Sequence, residues 1–103
     1  MFGDTTTIRA LARRLRERAD EIRDLAAALT AGAREVAWQG VAADAMRSHV
    51  DTRVLALHRT ARLHEDAAAA LDQHAREVDL ARSLIAAGDD AVARTLGKLE
   101  ELL

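Results

Sequence analysis

The sequence predicts an all-α fold: a hairpin of two long helices that dimerises into an antiparallel four-helix bundle. Three observations lead to this prediction. The chain of 103 residues contains no proline, which is the commonest helix breaker. Apolar residues recur every seven positions over most of its length, as helices that pack side by side require. A single interruption, Trp38-Gln39-Gly40, separates the two stretches that carry this repeat.

The first helix is predicted from about residue 6 to residue 37. Asp4 and the threonines that follow it are residue types that cap helix N-termini. A row of alanines at the same seven-residue spacing, from Ala12 to Ala33, runs beside the apolar row and permits a second helix to approach closely. The apolar row, which we expect to face a bundle partner, consists of Ile8, Leu15, Ile22, Leu29 and Val36.

The second helix is predicted from about residue 41 to residue 87, which leaves residues 38–40 as the turn. Small residues again flank its apolar row. A helix of this length would extend for ~65 Å, far beyond a compact domain of this size, so it makes sense only beside other helices. Its apolar row, also expected at the bundle interface, consists of Val50, Leu57, His64, Leu71, Val78 and Ile85.

Residues 88–103 form a C-terminal segment of what we expect to be a single domain spanning residues 1–103. Gly88 is a usual helix terminator and Asp89-Asp90 are usual N-cap residues, which favours a break followed by a short C-terminal helix. The seven-residue phase nevertheless carries through to Val92 and Leu99, so a continuous helix is the alternative.

The apolar stripe of the second helix is wider than one neighbouring helix needs, because Leu63 and Leu84 extend it beyond the main rows. A second hairpin would cover the excess and give a four-helix bundle with shallow crossing angles. A monomeric hairpin with an ordinary amphipathic surface is the alternative. The pattern leaves open whether the second hairpin is a copy of this chain or a different protein.

No residue pattern supports catalysis, a cofactor or a metal site. Cysteine is absent, and the four histidines are never spaced four residues apart, as a helical metal-binding pair requires. No phosphate-binding loop or nucleophile elbow occurs. His64 takes an aliphatic position in the apolar row, where it could set the register or respond to pH, although a packed histidine is the simpler interpretation. We therefore predict a protein that is not an enzyme.

The formal net charge of −2 gives no reason to expect binding to nucleic acid. Arginines concentrate from Arg9 onward, but acidic residues follow at once, and Arg13–Glu17 and Arg16–Asp20 have the spacing of ion pairs within one helix. A solvated charged face is therefore expected, with binding to phosphate or a membrane surface as the weaker alternative. No apolar run is long enough to insert across a membrane, and the N-terminus lacks the pattern of a secretory signal peptide.

Trp38 and Gly40 lie between two long heptad-patterned helices, and Val41-Ala42-Ala43 follows them. With this length and plan, the chain resembles the WXG family, the small early-secreted-antigen-like proteins of type VII (ESX) secretion systems. The resemblance implies a helix-turn-helix hairpin that pairs antiparallel with itself or with a paralogue. Its specific motif is the turn, with Trp38 and Gly40 as the motif residues.

The resemblance also implies export through a type VII system without a signal peptide, or residence in the cytosol before export or as a partner of an exported protein. The implied partners are a second copy, a paralogous WXG protein, a larger secreted protein and a secretion ATPase. Family members that carry the export signal have Tyr-x-x-x-Asp/Glu after the second helix. This chain has no tyrosine, and the nearest match runs from Ile85 to Asp89. A cytosolic homodimeric structural or adaptor bundle is the alternative function.

Overall fold

Two long helices make up the fold. The computed structural model describes residues 4–36 and 39–103, in which α1 spans Thr5–Glu35 and α2 spans Val41–Leu102. The helices pack against each other as an antiparallel hairpin. The prediction of an all-α hairpin is confirmed.

The start of α1 is capped by Asp4. Its backbone is extended, and its side chain accepts a hydrogen bond from the Thr6 backbone N–H at 3.0 Å. The Thr7 hydroxyl donates to the other carboxylate oxygen at 3.3 Å. One of the backbone N–H groups that a helix N-terminus leaves unpaired is thereby satisfied.

The connection between the helices is held by Arg47. Val36, which follows the last residue of α1, is extended, and its carbonyl accepts a hydrogen bond from Arg47 Nη2 at 3.0 Å. Gly40 precedes α2 with φ of 101°, a backbone conformation that glycine adopts without strain. Its carbonyl accepts the first hydrogen bond of α2, from the Asp44 N–H at 3.0 Å. The chain thus reverses direction through a glycine and an arginine that binds the end of α1.

The core between the helices is made of alanine. Within the described residues no buried side chain is larger than that of Thr5, and all the buried apolar residues are alanines. Three on each helix have no exposed surface and recur every seven residues. Side chains this small let two helix backbones approach closely, but each contributes little apolar area. We call these two rows the alanine core; they consist of Ala12, Ala19 and Ala26 on α1, and Ala61, Ala68 and Ala75 on α2.

The helices differ in length, so α2 extends past the start of α1. At about 1.5 Å per residue, the 62 residues of α2 account for about 93 Å. This matches the longest dimension of the molecule, which measures 95 × 16 × 15 Å. Three ion pairs between the helices fix their antiparallel register, in which Ala12 of α1 lies level with Ala75 of α2. In this register Thr5, the first residue of α1, lies level with Arg82. We call residues 83–102, which have no helix beside them among the described residues, the overhang.

The helix bounds differ from those predicted at two places. The first helix ends at Glu35 rather than near residue 37, because Val36 is already extended and its carbonyl binds Arg47. The second helix continues through Gly88 to Leu102 rather than ending near residue 87. A glycine inside a helix costs only about 1 kcal/mol relative to alanine, and no proline follows to force an end. Of the two alternatives left open for residues 88–103, the structure has the continuous helix.

Enlarging a residue of the alanine core should separate the helices. We expect Ala68→Leu to lower the free energy of unfolding by about 1–3 kcal/mol, since the added methylene groups have no space between the backbones. The matched control is Ala70→Leu, two residues along the same helix at an exposed position, which should change stability by less than about 0.5 kcal/mol. Urea unfolding followed by circular dichroism measures both. Equal losses in the two variants would contradict an alanine core.

Candidate functional site

The two helices carry different chemistry on the two sides of the alanine core. One side of the alanine core is formed by the residues that stand three positions before a core alanine. Examples are Arg9, which precedes Ala12, and Asp72, which precedes Ala75. Cross-helix ion pairs join these positions, which establishes that they share a side. Residues four positions before a core alanine, such as Ile8 and Leu71, therefore share the other side. The hairpin is a two-helix ribbon with an ionic face and an aliphatic face.

The ionic face is a ladder of three arginine–carboxylate pairs between the helices. Its partners move along the two helices in opposite directions in steps of seven residues, as antiparallel packing requires. Arg9 Nη2 lies 2.6 Å from Asp79 Oδ2, and Arg16 Nη2 lies 2.5 Å from Asp72 Oδ2. The third rung joins Arg23 and Glu65. The residues of the ionic face are Arg9, Arg16 and Arg23 on α1, and Glu65, Asp72 and Asp79 on α2.

Thr5 ties the first rung of the ladder to the N-terminus of α1. Its hydroxyl donates to Asp79 Oδ1 at 3.0 Å and accepts from Arg9 Nη1 at 3.0 Å. Thr5 is the one buried polar residue found among the described residues. The first turn of α1 is therefore attached to α2 by a closed group of three side chains, and this attachment marks where the overhang begins.

The ladder lowers the pKa of two carboxyl groups. The hydrogen bond from Arg23 holds the pKa of Glu65 below its ordinary value of 4.5, and Glu65 in turn raises the pKa of Arg23. The hydrogen bonds from Arg9 and then Thr5 hold the pKa of Asp79 below its ordinary value of 3.8. At the helix start, the backbone N–H of Thr6 lowers the pKa of Asp4 in the same way. Asp4 is exposed, and the side chains of Arg23, Glu65 and Asp79 keep between 34% and 45% of their surface in water, so the individual contributions are screened.

The aliphatic face is covered by no other element among the described residues. Its two inner rows are largely half-buried against the alanine core. Further out, Leu11 and Leu25 keep 45% and 59% of their surface exposed. Leu63, which was expected to widen the apolar stripe, is 62% exposed. The inner rows of this face are Ile8, Leu15, Ile22 and Leu29 on α1, and Val50, Leu57, His64, Leu71 and Val78 on α2.

His64 is the one polar residue in the inner rows. Its Nδ1 lies 2.9 Å from the Thr60 carbonyl oxygen one turn earlier, so the ring N–H donates to its own helix. The histidine is half-buried and partnered. Among the described residues, no group of three or more His, Asp or Glu side chains is placed to hold a metal ion.

The residues predicted for the turn and the export signal lie at separate places. Gly40 has the positive φ described above, whereas Trp38 lies outside the described residues. Val36 is half-buried beside the turn. Ile85 and Asp89 lie one helical turn apart on the overhang, both exposed, with Ile85 at 64%. Like the interface rows, the turn and signal assignments stay predictions.

The cross-helix ladder was missed by sequence reasoning, which expected these arginines on a solvated face and assigned Arg16 to Asp20. In the structure Arg16 pairs with Asp72, and Arg23 contacts both Asp20 at 3.7 Å and the carboxylate of α2. A signal was present, since arginines and carboxylates each recur every seven residues on the two helices. Detecting it required the antiparallel register.

Acid should weaken the hairpin through the ionic face. Because the pKa values of Glu65 and Asp79 are lowered in the folded chain, their stabilising contribution is present above their ordinary pKa values. It is lost as pH falls through those values toward the lowered ones. We expect the urea midpoint to be nearly constant from pH 7 to about pH 5.5 and to fall between about pH 5 and pH 3.

Glu65→Gln should lower the urea midpoint at pH 7 and make its decline in acid shallower, since one titrating rung is gone. Glu101→Gln, which changes an exposed carboxylate of the overhang, is the matched control and should leave the decline unchanged. A midpoint that stays constant down to pH 3, or rises, would show that the ladder does not stabilise the hairpin.

Comparison with known proteins connects this hairpin to secretion. No described helix has the length and apolar character needed to cross a membrane. No curated protein and no solved structure shows significant similarity to the chain. A family model described as "Putative T7SS secretion signal domain", in which T7SS denotes the type VII secretion system, matches residues 1–95. The match covers most of the 103 residues, so the chain belongs to this family of type VII secretion signal domains.

Proposed function

We propose that the chain is a WXG-type, non-enzymatic helical hairpin that acts in type VII secretion as a substrate or as the dimer partner of one. The family match supports the link to type VII secretion. The aliphatic face supports the mode of action, since it is a long surface for another helix pair. In this proposal the protein works through helix–helix binding and needs no cofactor.

The observation that carries the binding proposal is the contrast between the two sides of the hairpin. On the ionic face, the charges of each helix are satisfied by the other helix. On the aliphatic face, Leu11 and Leu25 lie outside the inner rows and keep about half of their surface exposed to water. Covering apolar surface of this kind stabilises association, and contiguous exposed patches commonly mark binding sites. The partner therefore docks on the aliphatic face.

The partner best suited to this face is another two-helix ribbon. Two inner rows run side by side along the hairpin, so a second pair of helices stacked on them would complete a four-helix bundle. We propose a second copy of this chain as the partner. A paralogous hairpin or a helical segment of a larger secreted protein would use the same face. The secretion ATPase would act on the assembled dimer.

The export part of the proposal is tested in a host that carries a type VII system and in the same strain without its secretion ATPase. We expect the chain in the culture medium of the first strain and at least tenfold less in that of the second, with a cytosolic protein as the lysis control. Equal amounts in both media, or retention in the lysate of both, would contradict export. Retention would favour the cytosolic adaptor bundle.

The binding part is tested in the same assay with Leu11→Asp/Leu25→Asp, two exposed positions whose change should leave the monomer helical. We expect export to fall at least tenfold, because a charged aliphatic face cannot be covered. The matched control, Ala27→Asp, lies two residues after Leu25 and so on the other side of α1. It should export normally. Normal export of both variants would show that the aliphatic face has no part in secretion.

A further inference from the structure

The overhang carries an apolar stripe that the hairpin does not cover. Its large apolar residues keep between 51% and 82% of their surface exposed. The stripe continues the seven-residue phase of the α2 inner row, from Val78 through Ile85 and Val92 to Leu99. The aliphatic face and this stripe are therefore one apolar strip along the whole of α2. The stripe consists of Leu84, Ile85, Val92, Leu96, Leu99 and Leu102.

A second copy that stacks only on the paired part of the hairpin would leave this stripe in water. The overhang comprises residues 83–102, about 30 Å of helix, and each copy of such a dimer would expose one. A dimer shifted along its axis would instead place each overhang on the other copy. A two-fold axis at Leu71, in the middle of α2, gives every α2 inner-row residue from Val50 to Val92 an apolar-row partner and overlaps the two second helices along almost their whole length.

We propose that two copies pair in this staggered antiparallel arrangement, in which the overhang of each copy packs on residues 40–59 of the other. The proposal rests on the dimerisation proposed above and specifies its register. Leu71 meets its own counterpart at the axis. Moving away from the axis, Val78 lies level with His64, and Val92 lies level with Val50. The first helices still overlap over roughly residues 5–27, since the shift is shorter than α1.

The charges of the two segments favour this arrangement. The overhang carries four carboxylates and two cations, whereas residues 40–59 carry three arginines and two carboxylates. An antiparallel stagger therefore joins a segment of net negative charge to one of net positive charge. A parallel dimer would instead set the two negative overhangs beside each other, which repulsion disfavours.

Small residues also favour a close approach along this face. The row next to the α2 inner row includes Thr60, Ala67, Ala81 and Gly88, and all four lie exposed. In the staggered register Thr60 and Ala81 come within about one residue of each other along the axis. His74 takes the remaining position of this row, between Ala67 and Ala81, so the close approach is favoured at Thr60 and Ala81 and not along the whole row.

Disulfide trapping tests the register, because the chain has no cysteine of its own. We would make Val50→Cys, Val78→Cys, Val92→Cys and Ala87→Cys in the full chain and mix them pairwise in a glutathione redox buffer. The mixture of Val50→Cys with Val92→Cys should give at least tenfold more disulfide-linked dimer than Val50→Cys with Ala87→Cys. Ala87 lies on the overhang but two residues from Ile85, and so on its opposite side. Circular dichroism would confirm that each variant is helical.

The other mixtures separate the alternatives. Preferential trapping of Val50→Cys with Val78→Cys would show a dimer centred on the paired part of the hairpin and would overturn the stagger. Trapping of Val92→Cys with itself would show a parallel dimer and would overturn it as well. In both cases the proposed dimer would stand. A chain that sediments as a monomer and gives no specific trapping would overturn the dimer and the stagger together.

Discussion

The structure depends on one constraint: the two helices meet through alanine. A row of alanines on each helix brings the backbones together without an interlocking layer of large side chains. Full burial of a leucine-sized side chain generally contributes about 1.5–3 kcal/mol, and none is fully buried among the described residues of this interface. The alanine core fixes where the helices touch and how closely, but it is a weak source of stability. Most of the larger apolar side chains lie on one side, where they remain available.

The ionic face compensates for part of what the alanine core lacks. Alanine rows that repeat every seven residues would pack almost as well after a shift of one heptad, so they specify register poorly. The ladder and the contact between Thr5 and Asp79 distinguish the observed register, because a shift would move at least one arginine opposite a residue without charge. Arg47 fixes the other end by holding the Val36 carbonyl. Charged groups thus set the register, while alanine sets the distance.

Much of this architecture could be predicted from the sequence, because the features that determine it are local properties of the chain. Heptad spacing, the absence of proline and a glycine between two repeats are local properties, and they gave the all-α hairpin. The same spacing could not tell which row faces the other helix. Two neighbouring rows carry it on each helix, and the structure places Ala12 and its row at the centre of the contact, with Ile8 and its row beside it. The pairing of Arg16 with Asp72 depends on residues far apart in the chain, and so on the register.

In the C-terminal part of the chain, local sequence signals favoured a helix end that the structure does not have. Gly88-Asp89-Asp90 carries local signals for a helix end, but continuation costs little and the apolar phase persists, so α2 remains helical to Leu102. Nothing local distinguishes a helix that is paired from one that projects alone. The projection follows only from the unequal lengths of the two helices. Function in this molecule is therefore expected at surfaces that remain open after the hairpin has formed.

We propose above all that another copy covers the aliphatic face and supplies the stability that the alanine core lacks. The most direct test is the thermal midpoint of the purified chain over a hundredfold range of concentration, with the mass measured by sedimentation at each end. A dimer predicts a midpoint that rises with concentration, by mass action, and a mass near twice 11.2 kDa at the upper end. A midpoint independent of concentration, with a mass of 11.2 kDa throughout, would contradict the claim.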